Sequence, residues 1–104
     1  MKKTLVLGAS SNPERYSFRA VQQLKQNGVT LVAVGAKEGE IQGEKILTGM
    51  PSIQDVHTVT MYLGAKNQKP YYDYILGINP KRIIFNPGAE NQELKKMASA
   101  KGIE

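Results

Sequence analysis

Four runs of apolar, largely β-branched residues set the strongest constraint on this chain: "TLVLG" at 4–8, "VTLVAVG" at 29–35, "HTVTMYLG" at 57–64 and "RIIFNPG" at 82–88. Most are nearly continuous in apolar character rather than alternating, the pattern of strands covered on both faces of a parallel sheet. Parallel neighbours cannot be joined by a tight hairpin, so each pair needs a crossover, usually a helix. The intervening segments have helical periodicity. Phe18, Val21 and Leu24 form a stripe ending at Asn27-Gly28, a good helix stop. Tyr71, Tyr74, Ile75 and Ile78 form a second, with Asn67 as candidate N-cap and Pro70 in the first turn. Leu94, Met97 and Ala98 form a third, with Glu90 and Glu93 ahead of Lys95, Lys96 and Lys101, an order the helix dipole favours.

Residues 51–56 suggest one short helical turn, and residues 37–51 a loop with a short strand near 45–47. Ile103-Glu104 reads as the opening of a further strand. With right-handed crossovers, the pattern predicts an α/β fold. The expected form is a Rossmann-like, doubly wound, mainly parallel sheet of about five strands, with helices on both faces, in one domain spanning 1–104.

Composition narrows the chemistry. There is no cysteine and only one histidine, His57, so disulfides, thiolate nucleophiles and histidine-rich metal centres are excluded. The apolar runs are far shorter than a membrane span, and "MKKTLVLGAS" meets Asn12, Pro13 and Glu14 too soon for a signal peptide. It reads instead as the first strand of a cytoplasmic protein. The net charge of +5 suits an anionic small-molecule partner, without the basic-aromatic interleaving expected for nucleic acid.

All four runs close on glycine: Gly8, Gly35, Gly64 and Gly88. Ligands of open α/β sheets bind outside the carboxyl ends of the strands, where glycine permits close approach. After Gly8 come Ala9, Ser10 and Ser11, expected to offer free amides and two hydroxyls. Asn12-Pro13 or Ser17 is then expected to cap the first helix. A helix N-terminus with Arg15 beside it is an anion site, the guanidinium matching phosphate oxygens. Neither the P-loop pattern nor the Gly-x-Gly-x-x-Gly dinucleotide fingerprint occurs. The first charged residue after the second run is Lys37, followed by Glu38 and Glu40. A dinucleotide without a ribose phosphate wants a carboxylate there, so the lysine suits a phosphorylated ribose. The 2′-phosphate of NADP and the 3′-phosphate of coenzyme A are both candidates.

The segments "VLGASSNPERYSFRAVQQLKQNG", "GEIQGEKIL" and "PKRIIFNPGAEN" resemble the small bacterial CoA-binding proteins. These are stand-alone relatives of the Rossmann-like CoA-binding domain of the succinyl-CoA synthetase alpha subunit. The resemblance implies CoA or an acyl-CoA across the carboxyl edge of the sheet. It puts the diphosphate on Gly8, Ala9, Ser10, Ser11, Asn12, Arg15 and Ser17, and the phosphorylated ribose near Gly35 and Lys37. The loop from Tyr62 and Leu63 to Ala65 would flank the nucleotide, and Asn86, Pro87 and Gly88 would close the pantetheine side. Where family members commonly read Val-Asn-Pro-Lys, this chain has Val34-Gly35-Ala36-Lys37.

No reaction is named by the residues. His57 falls at the amino end of its run, away from the ligand edge, and Asp55, Glu90 and Glu93 form no pair at useful spacing. The functional readings are therefore a CoA-binding module, monomeric or homo-oligomeric, an NADP-linked oxidoreductase-like domain, or an interaction protein of this fold without a ligand.

Overall fold

A computed structural model describes residues 3–104. Six strands form one sheet: β1 (Lys3–Leu7), β2 (Thr30–Val34), β3 (Gly39–Ile41), β4 (Glu44–Leu47), β5 (Val56–Met61) and β6 (Arg82–Phe85). Their spatial order is β3-β4-β2-β1-β5-β6. Every pairing is parallel except β3–β4. The chain thus winds outward from β1 in both directions, and the strand order reverses between β1 and its neighbours β2 and β5. That reversal opens a crevice at the carboxyl edge.

Helix α1 (Tyr16–Gln26) crosses from β1 to β2. Its Val21 packs with Val6, Leu31, Ala33, Ile41 and Ile46. Helices α2 (Ala65–Gln68), α3 (Tyr72–Ile78) and α4 (Gln92–Ala100) follow β5 and β6. On the opposite face, Ile75 and Leu76 of α3 and Leu94 and Ala98 of α4 meet Leu5, Leu7, Val59, Met61 and Ile83. Successive residues of β1 point to opposite faces, so Leu5 and Leu7 serve one helical layer and Val6 the other. This explains why the run is continuously apolar.

The structure departs from the sequence expectation in four places. The sheet has six strands rather than about five, because residues 39–47 form a β-hairpin instead of a loop with one strand. Its two turn residues, Gln42 and Gly43, both have positive φ, at 48° and 85°, the requirement of a twist-matched two-residue hairpin turn.

The second helix starts earlier than expected. Gly64, not Asn67, is the N-cap of α2, and Pro70 lies in a single 3₁₀ turn, Lys69–Tyr71, joining α2 to α3. Residues 51–54 form no helical turn. The carbonyl of Pro51 accepts from the Tyr74 hydroxyl at 2.5 Å and that of Gln54 from the Lys3 ammonium at 2.9 Å, so distant side chains satisfy the backbone that a turn would have satisfied locally.

Finally, α1 is capped by neither Asn12 nor Ser17. Its N-cap is Arg15, in extended conformation and without a side-chain cap bond.

The third helical stripe is met in part: Leu94 and Ala98 are buried, but Met97 is exposed, and of the expected charges only Glu93 lies in a terminal turn of α4. Asn91 caps α4 by accepting the Leu94 amide at 3.1 Å, and Gly102 follows the helix at φ 80°. Ile103-Glu104 does begin to pair. The Glu104 amide donates to the Lys81 carbonyl and its own carbonyl accepts from Ile83 N–H, at 3.2 and 2.7 Å. That is the alternation of a parallel bridge beside β6. No described helix is long and apolar enough to cross a membrane.

Candidate functional site

The first loop is locked between backbone on both sides. Gly8 has φ +98°, and a Cβ there would lie 2.8 Å from the Leu63 nitrogen and 2.9 Å from the Tyr62 carbonyl carbon. On the other flank, a Cβ on Gly35 would lie 2.1 Å from the Ala9 carbonyl oxygen, and one on Gly39 would lie 3.1 Å from Ser11. Gly8 and Gly35 therefore serve backbone-on-backbone approach, a different reason from the ligand approach expected of them. Gly64 and Gly88 have nothing within 4 Å of a built Cβ. These two face open space.

Counting amides corrects a further expectation. The Gly8 and Ala9 N–H groups both donate to the Val34 carbonyl, at 2.8 and 2.9 Å, so Ala9 offers no free amide. Ser10 Oγ accepts the Asn12 amide at 3.1 Å, Asn12 Oδ1 accepts that of Glu14 at 3.0 Å, and the Asn12 carbonyl accepts that of Arg15 at 3.0 Å. Asn12 thus folds the turn leading into α1 rather than capping the helix. The amides of Ser10, Ser11, Tyr16 and Ser17 have no partner among the described residues. The last two are the first donors of α1, which no helical carbonyl can reach.

A cleft of about 310 Å³ opens at this edge, lined by Gly8, Arg15, Tyr16, Ser17, Tyr62, Gly64, Pro87 and Gly88. Loops after β1, β5 and β6 thus converge on one cavity. Arg15 is exposed, and its guanidinium has no ion-pair or hydrogen-bond partner among the described residues. Ser17 is buried to 3% exposure yet lines the cleft.

Asn86 sits to one side. Its Nδ2 donates to Thr60 Oγ1 at 2.7 Å and to the Met61 carbonyl at 2.8 Å, fixing the start of the β6 loop against β5. Leu63 contributes its backbone to the Gly8 contact and packs its side chain against the core. Glu90 takes the Gly88 amide with its carboxylate at 2.9 Å, removing one donor from the cleft rim.

Lys37 is not among the residues lining this cleft. It is exposed on the turn between β2 and β3, with no side-chain partner among the described residues. Both ends of that turn are nevertheless pinned to the first loop, Gly35 against Ala9 and Gly39 against Ser11. The lysine is therefore held beside residues 9–11, reaching into solvent.

Three residues were not anticipated. Tyr16, Arg19 and Gln23 of α1 line a wider groove of about 470 Å³ with Ala20, Tyr62, Asn86 and Pro87, and it shares Tyr16, Tyr62 and Pro87 with the cleft. Their spacing of three and four residues puts them on one side of the helix. That signal was present in the sequence, next to the apolar stripe of Phe18, Val21 and Leu24. His57, by contrast, lies near the amino end of β5, its Nδ1 2.8 Å from Thr58 Oγ1.

The family model described as "CoA binding domain" matches residues 2–104. No curated protein matches the chain. Among solved structures, a crystal structure of an uncharacterized protein is 48% identical with TM-score 0.96, and the match covers 100% of this chain and 86% of that one. A conserved hypothetical protein from Pyrococcus furiosus is 25% identical with TM-score 0.84, covering 100% of this chain and 90% of that one. A hypothetical protein from Pyrococcus horikoshii OT3, 24% identical with TM-score 0.86 over 98% of this chain and 72% of its own, shares the fold.

Proposed function

The chain belongs to the CoA binding domain family, and on that premise we propose that it binds coenzyme A or an acyl-CoA at the carboxyl edge of its sheet. The observation that carries the reading is the cleft where the β1, β5 and β6 loops meet, with Arg15 at its rim. The diphosphate rests on residues 8–17, taking hydrogen bonds from the unpartnered Tyr16 and Ser17 amides and a charge-assisted pair from Arg15. Lys37, unpaired beside the same loop, meets the 3′-phosphate of the ribose as a mobile point charge. Tyr62 and Leu63 flank the nucleotide, and Asn86, Pro87 and Gly88 bound the pantetheine arm.

The reading includes no catalytic step. The protein acts as one domain that holds a small-molecule nucleotide in the cytoplasm, with neither nucleic acid nor membrane as partner. Native mass spectrometry of freshly purified protein tests it. The expected result is a mass increment of CoA or an acyl-CoA, on a monomer or a homo-oligomer. Absence of any adduct together with no thermal shift on adding CoA would overturn the reading. NADPH binding that CoA does not displace would replace it with a dinucleotide site.

A further inference from the structure

Among the described residues, one large and fully buried side chain is polar: Gln68, the last residue of α2, at 0% exposure. Both of its N–H donors and its carbonyl oxygen are engaged. Nε2 donates to the Leu63 carbonyl and to the Ala89 carbonyl, each at 2.8 Å, and Oε1 accepts from Asn91 Nδ2 at 2.9 Å. The two carbonyls can only accept, so the orientation of the amide is forced. Asn91 also donates to the Tyr72 hydroxyl at 2.8 Å while capping α4.

Leu63 and Ala89 belong to the two loops that form one wall of the cleft. Leu63 lies between the lining residues Tyr62 and Gly64, and Ala89 follows the lining residues Pro87 and Gly88. Gln68 lies 5 positions after Leu63 and 21 before Ala89 in the sequence, and its one amide bridges the two loops from beneath. We propose that Gln68 is a positioning residue that fixes the distance between the β5 and β6 loops and so the width of the ligand cleft. The inference rests on the CoA reading for its ligand, and on the hydrogen-bond geometry alone for its mechanical part.

The chemistry required at this position is narrow. Glutamate keeps the length but turns both donors into acceptors facing two carbonyls in a buried site. Methionine keeps the volume and removes all three bonds. In either case the carbonyls lose their partners where water cannot replace them, and the loops move to find others. Gln68 itself does not line the cleft, so its effect on a ligand passes through the loops.

The test uses the full chain with Gln68→Met, Gln68→Glu and, as control, Tyr72→Phe, which leaves the three Gln68 bonds in place. Calorimetry is run well below each variant's unfolding transition. Both Gln68 variants are expected to weaken CoA by about tenfold, and to weaken 3′-dephospho-CoA by the same factor, since Lys37 lies on the far flank. Tyr72→Phe should bind as wild type.

In ¹⁵N–¹H spectra without ligand, the Gln68 variants should shift the amides of residues 63–65 and 88–90 together. A folded Gln68→Met protein with unchanged affinity, or one in which only a single loop shifts, overturns the proposal. If neither Gln68 variant folds, the wild-type side-chain amide decides. Its two Nε2 protons should exchange slowly and shift on CoA addition, and exchange as fast as that of a surface glutamine refutes the role. If wild type does not bind CoA, the ligand reading fails, while the coupled loop shifts still decide whether Gln68 ties the walls.

Discussion

Gly35→Ala is the sharpest structural prediction. The added methyl would lie 2.1 Å from the Ala9 carbonyl oxygen, against an ordinary contact of 3.4 Å or more. Neither side yields easily. The Gly35 amide is bonded to the Leu47 carbonyl at 2.8 Å, and the adjacent Val34 carbonyl holds both the Gly8 and Ala9 amides. Relief requires the first loop to lift off β2. Overpacking of this kind costs about 1–3 kcal/mol, and each strained or broken hydrogen bond adds about 1 kcal/mol, giving roughly 3 kcal/mol in all.

For a domain near 100 residues each kcal/mol lowers Tm by about 4–8 °C, so a fall of more than about 10 °C is expected. Urea denaturation followed by circular dichroism should show a lower midpoint with unchanged slope. Gly64→Ala is the counterpart. Gly64 has φ −64° and nothing within 4 Å of the added methyl, so stability should change by less than about 1 kcal/mol, the entropy gained on replacing glycine being offset by alanine's poorer N-capping of α2. CoA affinity should nonetheless fall, because the methyl enters the cleft. A Gly35→Ala protein within about 1 kcal/mol of wild type would refute the packing argument, and a Gly64→Ala protein that binds CoA normally would refute the cleft assignment.

Other outcomes follow from the same geometry. Arg15→Gln should weaken CoA by about tenfold or more without changing Tm, since the guanidinium has no partner among the described residues; isothermal calorimetry and a melting curve check the two halves. Asn91→Ala should cost about 1 kcal/mol through the lost α4 cap and about 1 kcal/mol more through the buried Gln68 oxygen left without its donor, read by urea unfolding. Burial, reinforced by Tyr71, holds the Tyr74 phenol above its ordinary value of 10.0. The neutral form is therefore favoured by folding, so this contribution is complete below pH 10.0 and is lost as pH rises through the folded-state value. Stability measured from pH 9 to 11 should fall less steeply in Tyr74→Phe, whose loss of the Pro51 bond lowers the neutral-pH value.

The runs at β1, β2 and β5 were legible because burial on both faces leaves a continuous apolar run; β6 reads the same way in sequence but is covered on one face only, with Ile83 buried and Arg82 and Ile84 exposed. The β3–β4 hairpin was not legible, because Gln42-Gly43 replaces the usual Asn-Gly signal and the flanking strands are three and four residues long. The α2–α3 boundary was obscured by Pro70, which marks a 3₁₀ junction here rather than a first helical turn. At the site, residue type was readable and cause was not. Gly8 and Gly35 stand where expected, yet what they accommodate is neighbouring backbone, a long-range contact that no local pattern encodes. Asn12 offered the right chemistry for a cap, but its side chain folds the preceding turn. Gln68 gave no signal at all, since its meaning depends on two carbonyls from different loops.

The central claim is that the nucleotide held at this edge is CoA and that Lys37 reads its 3′-phosphate. Calorimetry of the wild-type chain with CoA and with 3′-dephospho-CoA, repeated on Lys37→Ala, tests it most directly. The account predicts that wild type prefers CoA by roughly fivefold or more, and that Lys37→Ala abolishes the preference while leaving dephospho-CoA affinity unchanged. Equal affinity of the wild-type chain for the two ligands would contradict it.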